Sequence, residues 1–447
     1  MKKRQWNLWA YGLTITVLIV MAGFQLNSFL GLWSRRGSDM QFSYYSTRVQ
    51  ELDQEVGMIR PLRIYASSGE QPGRMSLVSD QTAHYIDLYE ASWSFLLEAL
   101  DPSTEVETVD IGEWSDKPVC RYTYDVTLNT QMLGEKTGWF YSDSFQFQEI
   151  LMLPSQSIRE KACIYLLNYS AGKALQITSE VVQWQSEVNS RLIEKMKEIC
   201  TALGEHYISG SYAYPGYFGH NLYLRDQNEY ESWTPWSIGE SSEYNEISCR
   251  DAAERFFERP ELMRSEFYGQ QVWIFTDDSC SVRVKENQVL DYVRTPLAAS
   301  KKISLVEAYD VAFAFLLADM LQEDIMVGTY LDGYEITENG YRFYWNYKVE
   351  DRAVQPDEEI LSAESMSYAV EMEVRGNQVY RYRRWRMLPK YKNYQIQVLQ
   401  EGCLGVLNRT GLKNCESLEK VCRIEEGQAV LYWKMTANGE TYYEKVQ

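Results

Sequence analysis

Apolar residues recur along this chain at steps of three and four, or at steps of two, and in one stretch with no break at all. Between Arg4 and Arg35 lie thirty positions without a charge, centred on "LTITVLIVMAGF" from Leu13 to Phe24. A helix needs only about 20 such residues to cross a bilayer. Trp6, Trp9 and Tyr11 stand at one end and Trp33 at the other, as suits the two membrane interfaces. Lys2, Lys3, Arg4 and the amino terminus slightly outweigh Arg35 and Arg36, which favours a cytoplasmic N-terminus. Val20 and Ala22 sit as a signal peptidase accepts them, but apolar sequence continues through Phe29, Leu30, Leu32 and Trp33. The expectation is an uncleaved single-pass anchor rather than a cleaved signal peptide. No cysteine lies near it, which excludes a lipoprotein.

Beyond the anchor the two shorter rhythms alternate. "STRVQELDQEV" and "DLYEASWSFLLEAL" have helical spacing, whereas "RPLRIYASS" alternates like a strand. "VCRYTYDVTL" is a strand with Tyr122, Tyr124 and Val126 on one face. A helix is predicted from Thr178 or Ser179 to about Leu203, on the stripe Val181, Trp184, Val188, Leu192, Met196, Ile199 and Leu203. Gly210 to Glu246, rich in Gly, Pro, Ser and Tyr, reads as a long loop region. "CRDAAERFFERPELMRSEF" is helical up to a break at Pro260, and "QQVWIFTDDSCSVRVKENQVLDYVR" gives successive antiparallel strands. "SLVEAYDVAFAFLLADML" is a helix that opens on a capping box of Ser304 and Glu307. Three hairpins follow. The first turns at Asn339-Gly340, with Tyr341, Phe343, Trp345 and Tyr347 on one face; the second carries Val370, Met372 and Val374; the last turns at Asn438-Gly439. Val284–Arg294 (VKENQVLDYVR) and Val374–Arg384 (VRGNQVYRYRR) agree at six of eleven positions, so duplication and convergence on similar hairpins stand side by side.

These elements predict an α+β exterior of antiparallel sheets packed with helices. The expected boundaries are a cytoplasmic stub at 1–5, the anchor at 6–34, an N-terminal domain at 35–204, a middle domain at 205–299 and a C-terminal domain with hairpins at 300–447. All 63 acidic residues but only 39 of the 44 basic ones lie beyond Arg36, so the exterior carries a formal charge of −24. Such a charge argues against nucleic acid and against docking on anionic lipid heads.

The sequence offers little for catalysis. Eight cysteines between Cys120 and Cys422 form no CxxC, and there are three histidines, so no metal site is expected. Cys415 and Cys422, seven apart, would share a helix face. "SAGK" (Ser170–Lys173), "SLEK" (Ser417–Lys420) and "KTG" (Lys136–Gly138) echo penicillin-binding enzymes, but in reversed order and without SDN. Asp277-Asp278 reads as a solvated turn. No cofactor is expected, and a non-enzymatic protein is the favoured class. The rivals are a degenerate hydrolase and a cell-wall glycan-binding module that stacks Trp233 and Trp236 on sugar rings.

"AAERFFERPELMRSEFYGQQVWIFTDDSCSVRVKENQVLDYVRTP" (Ala252–Pro296) resembles the YycH family: a paired-Phe helix, a Pro break, a strand at a "TD" turn and a strand–turn–strand ending at Tyr292. "ISLVEAYDVAFAFL" and "YAVEMEVRGNQVYRYRR" are similar to its next elements. Asp277-Asp278 departs from the family's Asp-Gly. The resemblance implies a membrane-anchored regulator of the YycFG (WalRK) two-component system of low-GC Gram-positive bacteria. It implies two partners, a sensor histidine kinase and a YycI-like protein, met through the membrane helix and the exterior. Close packing and polar groups drive helix contact in lipid. The expected partner-binding residues are therefore the small-xxx-small pair Gly12 and Thr16, with the amides Gln25 and Asn27.

Overall fold

A computed structural model describes residues 59–446, apart from 79–81, 113, 115, 210–222, 226–228, 239–243, 270, 296–301, 321–327, 350–351, 388, most of 401–414 and 438–439. The expected anchor and the helix expected in "STRVQELDQEV" lie outside the described residues. Among those described, six helices and 25 strands form an α+β fold, and no helix is long and apolar enough to cross a membrane.

The first body is built on a nine-stranded sheet. Its strands are β1 (Arg63–Ser67), β2 (Arg74–Val78), β3 (Glu105–Asp110), β4 (Val119–Asn129), β5 (Gln146–Leu153), β6 (Cys163–Asn168), β7 (Lys173–Thr178), β8 (Tyr207–Ser209) and β9 (Tyr223–Arg225), in the order β3-β7-β6-β5-β4-β1-β2-β8-β9. Alternation gives the sheet two apolar faces. Ile64, Tyr122, Ile150, Ile164 and Ile177 meet the helices α1 (Ala83–Ala99) and α3 (Glu187–Leu203), which pack on each other. Tyr65, Leu151 and Leu167 line the opposite face. The predicted long helix starts eight residues late, at its Ser186 cap. Residues up to Thr178 are drawn into β7 by pairing with β3 and β6, and Ser179 Oγ accepts from the Val181 and Val182 amides to make a turn. Val181 and Trp184 are thereby left exposed.

A 14-stranded sheet forms the second body. Its first run is β12 (Arg264–Tyr268), β13 (Val272–Thr276), β14 (Cys280–Lys285) and β15 (Val289–Arg294); its second is β16 (Gly328–Thr337), β17 (Gly340–Val349), β19 (Val370–Arg375) and β20 (Gln378–Trp385). β18 (Arg352–Gln355) continues the sheet through β23 (Cys415–Glu425), β24 (Gln428–Ala437) and β25 (Glu440–Lys445), with β11 (Trp236–Ile238) against β24 and β21 (Pro389–Tyr391) against β11. β10 (Glu229–Trp233) and β22 (Ile396–Gln400) make a separate ribbon.

Each run follows a helix, α4 (Glu246–Glu254) for the first and α5 (Leu305–Met320) for the second. The two runs meet along β15 and β20 in an antiparallel ladder that places Tyr292 opposite Tyr382. These tyrosines are equivalent in the two similar stretches of sequence, so the similar hairpins are related by a pseudo-twofold axis at their own junction. That supports duplication. The second run differs by the excursion through β18 and α6 (Glu358–Ala363) between β17 and β19.

The axis is dry and charged. Phe256 and Phe315 pack against Tyr292 and Tyr382 in tilted and edge-on contacts. Beside them Asp319, which is fully buried, accepts from Tyr382 Oη and Arg384 Nη1 at 2.6 Å each, and Arg255 Nε lies 2.8 Å from its other oxygen. Two guanidiniums thus hold one carboxylate.

Several local expectations shift. The Ser304–Glu307 capping box forms in both directions. The first hairpin turns one residue early, because Thr337 pairs with Gly340 and leaves Glu338-Asn339 as the loop. Gly340 serves close approach instead: a Cβ there would stand 2.0 Å from the Val374 carbonyl oxygen. Cys415 and Cys422 lie in strand β23, not on a helix, and the seven described cysteines are free thiols.

Candidate functional site

The two bodies meet at a seam whose chemistry differs from both cores. β4 starts it. Its ladder with β5 breaks between Thr123 and Leu128, so Tyr124–Thr127 leave the first sheet and approach β16 of the second. Just before β1, Leu62 packs against Tyr330, Ala353 and Val421, with Tyr432 and Tyr443 around them.

Charged side chains flank this contact. Arg63 Nη2 donates to Glu419 Oε2 at 2.7 Å, and Lys434 Nζ reaches Glu419 Oε1 at 3.2 Å. Asp332 accepts from Asn346 Nδ2 at 2.5 Å, while Asn346 Oδ1 accepts from the Ala369 amide. Asp125 projects from the displaced part of β4 toward the same group and is exposed to solvent. Three carboxylates therefore share two cations in a crevice that water enters from the Asp125 side.

The protonation states follow from that count. The crowded surroundings, together with Glu419 and Asp332, push Asp125 up to about 7, against the pull of Arg63 and Lys434. Burial opposes the charge of Glu419, but Arg63 and Lys434 outweigh it and hold that carboxyl below its usual range. Burial raises Asp332. The Lys434 charge is disfavoured by burial, yet Glu419 and Asp125 raise its pKa. Asp125 is the carboxylate left over by that count, and its pKa is raised.

A second contact lies along α2 (Thr130–Thr137), which packs on α5. Lys136 Nζ donates to Asp310 Oδ2 at 2.6 Å and Ser304 Oγ to Glu135 Oε2 at 2.7 Å. Below them is a small apolar hollow, open to solvent and lined by Ile59, Met132, Leu133, Phe147, Val306 and Tyr309, among others.

Among the described residues no three His, Cys, Asp or Glu side chains could hold a metal. The three fragments of the penicillin-binding pattern sit on different elements: the β6–β7 turn, strand β23 and the end of α2. Asp277 is a turn residue whose Oδ1 accepts from Ser279 and Cys280. Trp233 and Trp236 are buried, 6% and 1% exposed, so neither ring offers a face to a sugar. The arrangement joins the two bodies through shared charges and a small apolar contact.

Gly12, Thr16, Gln25 and Asn27 lie outside the described residues. Sequence reasoning missed the seam, since Arg63 and Glu419 are 356 residues apart and no spacing rule connects them. One signal was present: Asp125 is the lone charge inside the apolar run "YTYDVTL".

No family model matches the chain, and no curated protein does. A solved structure does, that of YycH from Bacillus subtilis, with a TM-score of 0.52 at 13% identity, over 87% of this chain and 96% of that one. At such identity the likeness is one of fold. It extends across both bodies.

Proposed function

We propose, with the YycH-like fold as premise, that this chain is a non-catalytic regulator of a two-component sensor histidine kinase. In this reading residues 6–34 anchor it in the cell membrane, with the N-terminus cytoplasmic and the two bodies outside. It acts by contact with the kinase and a YycI-like partner. The observation that carries the reading is the shared fold over 87% of the chain. The seam supports it, because two bodies joined by a half-wet ionic crevice can pass a displacement from one to the other. The anchor would complete the path through Gly12 and Thr16, where small side chains let two helices approach.

Membrane crosslinking of the full chain, followed by identification of what it captures, tests the reading. A histidine kinase and a YycI-like protein are the expected partners. Gly12→Leu and Thr16→Leu should weaken the association by about 1 kcal/mol, and Leu18→Ala should matter less. Capture of neither partner, with kinase-controlled transcription unchanged on deleting the gene, would overturn it. If an unrelated anchor substitutes without loss, the exterior alone makes the contact.

A further inference from the structure

We infer that β12 is a self-association edge, at which two copies of this chain pair their β12 strands antiparallel about a twofold axis through Ser265.

Within the large sheet, the two runs related by the pseudo-twofold axis end on β12 and β16. At the β16 end, β4 of the first body covers the edge. At the other end, β12 pairs with β13 alone among the described residues. It is regular over five residues, with no bulge and no proline, two of the features that blunt an open edge, although Arg264 and Glu266 put charge on it. Its apolar side chains face out: Phe267 is 48% exposed, Tyr268 73%, and Leu262 just before it 58%.

Backbone direction fits a partner strand. The Tyr268 carbonyl accepts from the Gln271 amide inside the β12–β13 hairpin. By strand alternation Tyr268, Glu266 and Arg264 turn their backbone groups toward β13, and Ser265 and Phe267 turn theirs outward. Two Ser265 residues on a twofold axis would then exchange a pair of N–H···O=C bonds. Each Phe267 amide would reach the other copy's Met263 carbonyl.

Side chains choose the register. A twofold axis perpendicular to the sheet keeps each residue on its own face, so the axis must pass through a residue. Through Arg264 or Glu266 it would set like charges opposite each other. Through Ser265 it sets Arg264 of each copy opposite Glu266 of the other, and brings Leu262 to the end of the ladder near Tyr268. Ser265 and Phe267 lie on the α4 face, where Ser265 Oγ donates to Glu246. Arg264, Glu266 and Tyr268 are on the other, so charged and apolar contacts are both matched. Such a contact is isologous and closes at two copies. A ladder this short buries less than the roughly 1,200 Å² of a stable complex, so association is expected to be micromolar or weaker.

Charge reversal tests this in the full chain held in detergent micelles, with donor- and acceptor-labelled populations titrated against each other. The wild type should self-associate. Arg264→Glu and Glu266→Arg should each weaken association about tenfold or more, since each creates two like-charge pairs. Mixing these two variants, or combining both changes in one chain, should restore it. Amide exchange over 264–268 in the wild type should slow as concentration rises, a readout that depends on no variant. A chain that stays monomeric, association that ignores both single reversals, or a mixture that fails to restore it would each overturn the proposal. The second of these results would place the contact on the anchor or another surface.

Discussion

Two charged clusters sit at equally central places in this molecule and are built on opposite terms. At the pseudo-twofold axis, Asp319 is enclosed by Arg255, Arg384 and Tyr382, and none of the three ionic side chains exceeds 6% exposure. At the seam, Arg63, Lys434 and Glu419 keep 14–27% of their side-chain surface in water, and Asp125 is left without a partner of its own. Taking charge out of water is costly, so a buried cluster persists only if its charges lie close to opposite ones. A half-wet cluster tolerates a surplus carboxylate, and the surplus makes it adjustable. The first cluster lies inside one sheet at the junction of its two similar runs; the second lies where the two bodies touch.

The comparison breaks most visibly at Asp319. Asp319→Ala removes the carboxylate that both buried guanidiniums share and should cost about 3–5 kcal/mol in chemical denaturation. A loss under 1 kcal/mol would mean that water enters the axis and that the contrast with the seam is wrong. Arg63→Met should cost only about 1 kcal/mol, because Lys434 still holds Glu419 and solvent reaches the pair. The Arg63 loss should also fall as salt is added, and the Asp319 loss should not.

The seam and the axis should also differ in their response to pH. The groups facing Asp125 are Glu419 and Lys434 from the β23–β24 pair, Asp332 from β16 and Arg63 from β1. Its folded pKa lies above the unfolded value, so the folded protein binds this proton more tightly. The corresponding stability is present below about pH 4 and is lost as pH rises through about 7. Asp332, also raised, adds to the same slope. Glu419 acts with the opposite sign: its contribution is present above its unfolded pKa and lost as pH falls into the acid range. Between pH 5 and 7 the first slope should dominate. Asp125→Asn should flatten the denaturation midpoint across that window, by a few tenths of a kcal/mol given the exposure of the group. An unchanged profile would show that Asp125 titrates as an ordinary surface carboxylate.

The parts of this fold that were legible in the sequence are those decided by neighbours along the chain. The Tyr122–Tyr124–Val126 face, the Val370–Met372–Val374 face and the Ser304–Glu307 cap depend on residues two to four apart, and all three are in the structure. The failures share one cause, competition from distant strands. β3 and β6 claim the residues up to Thr178 that looked like the start of a helix. β24 claims Cys415–Glu425, so the seven-residue spacing of Cys415 and Cys422 has no helical meaning. The turn at Asn339-Gly340 moved because close approach to Val374 uses the glycine within the ladder. The seam was illegible for the same reason: its members come from β1, β4, β16, β23 and β24, and only the folded topology brings them together.

The smallest expected effect concerns the other contact between the bodies, the Lys136–Asp310 pair on α2 and α5. Its distance of 2.6 Å is shorter than that of Arg63 to Glu419, and distance alone would rank it first. Exposure reverses the ranking. The Asp310 side chain is 47% exposed and Lys136 17%, so water screens the attraction and competes for both groups. An exposed pair of this kind contributes about 0–1 kcal/mol. Lys136→Met should therefore change stability by no more than about 0.5 kcal/mol. The new side chain can cover the mouth of the apolar hollow beside Met132 and Leu133, which offsets the lost ion pair. Denaturation of Lys136→Met and Asp310→Asn, alone and combined, measures the coupling directly. A coupling energy above that of Arg63 with Glu419 would make α2 and α5 the stronger joint, and would move the adjustable contact from the crevice to the hollow.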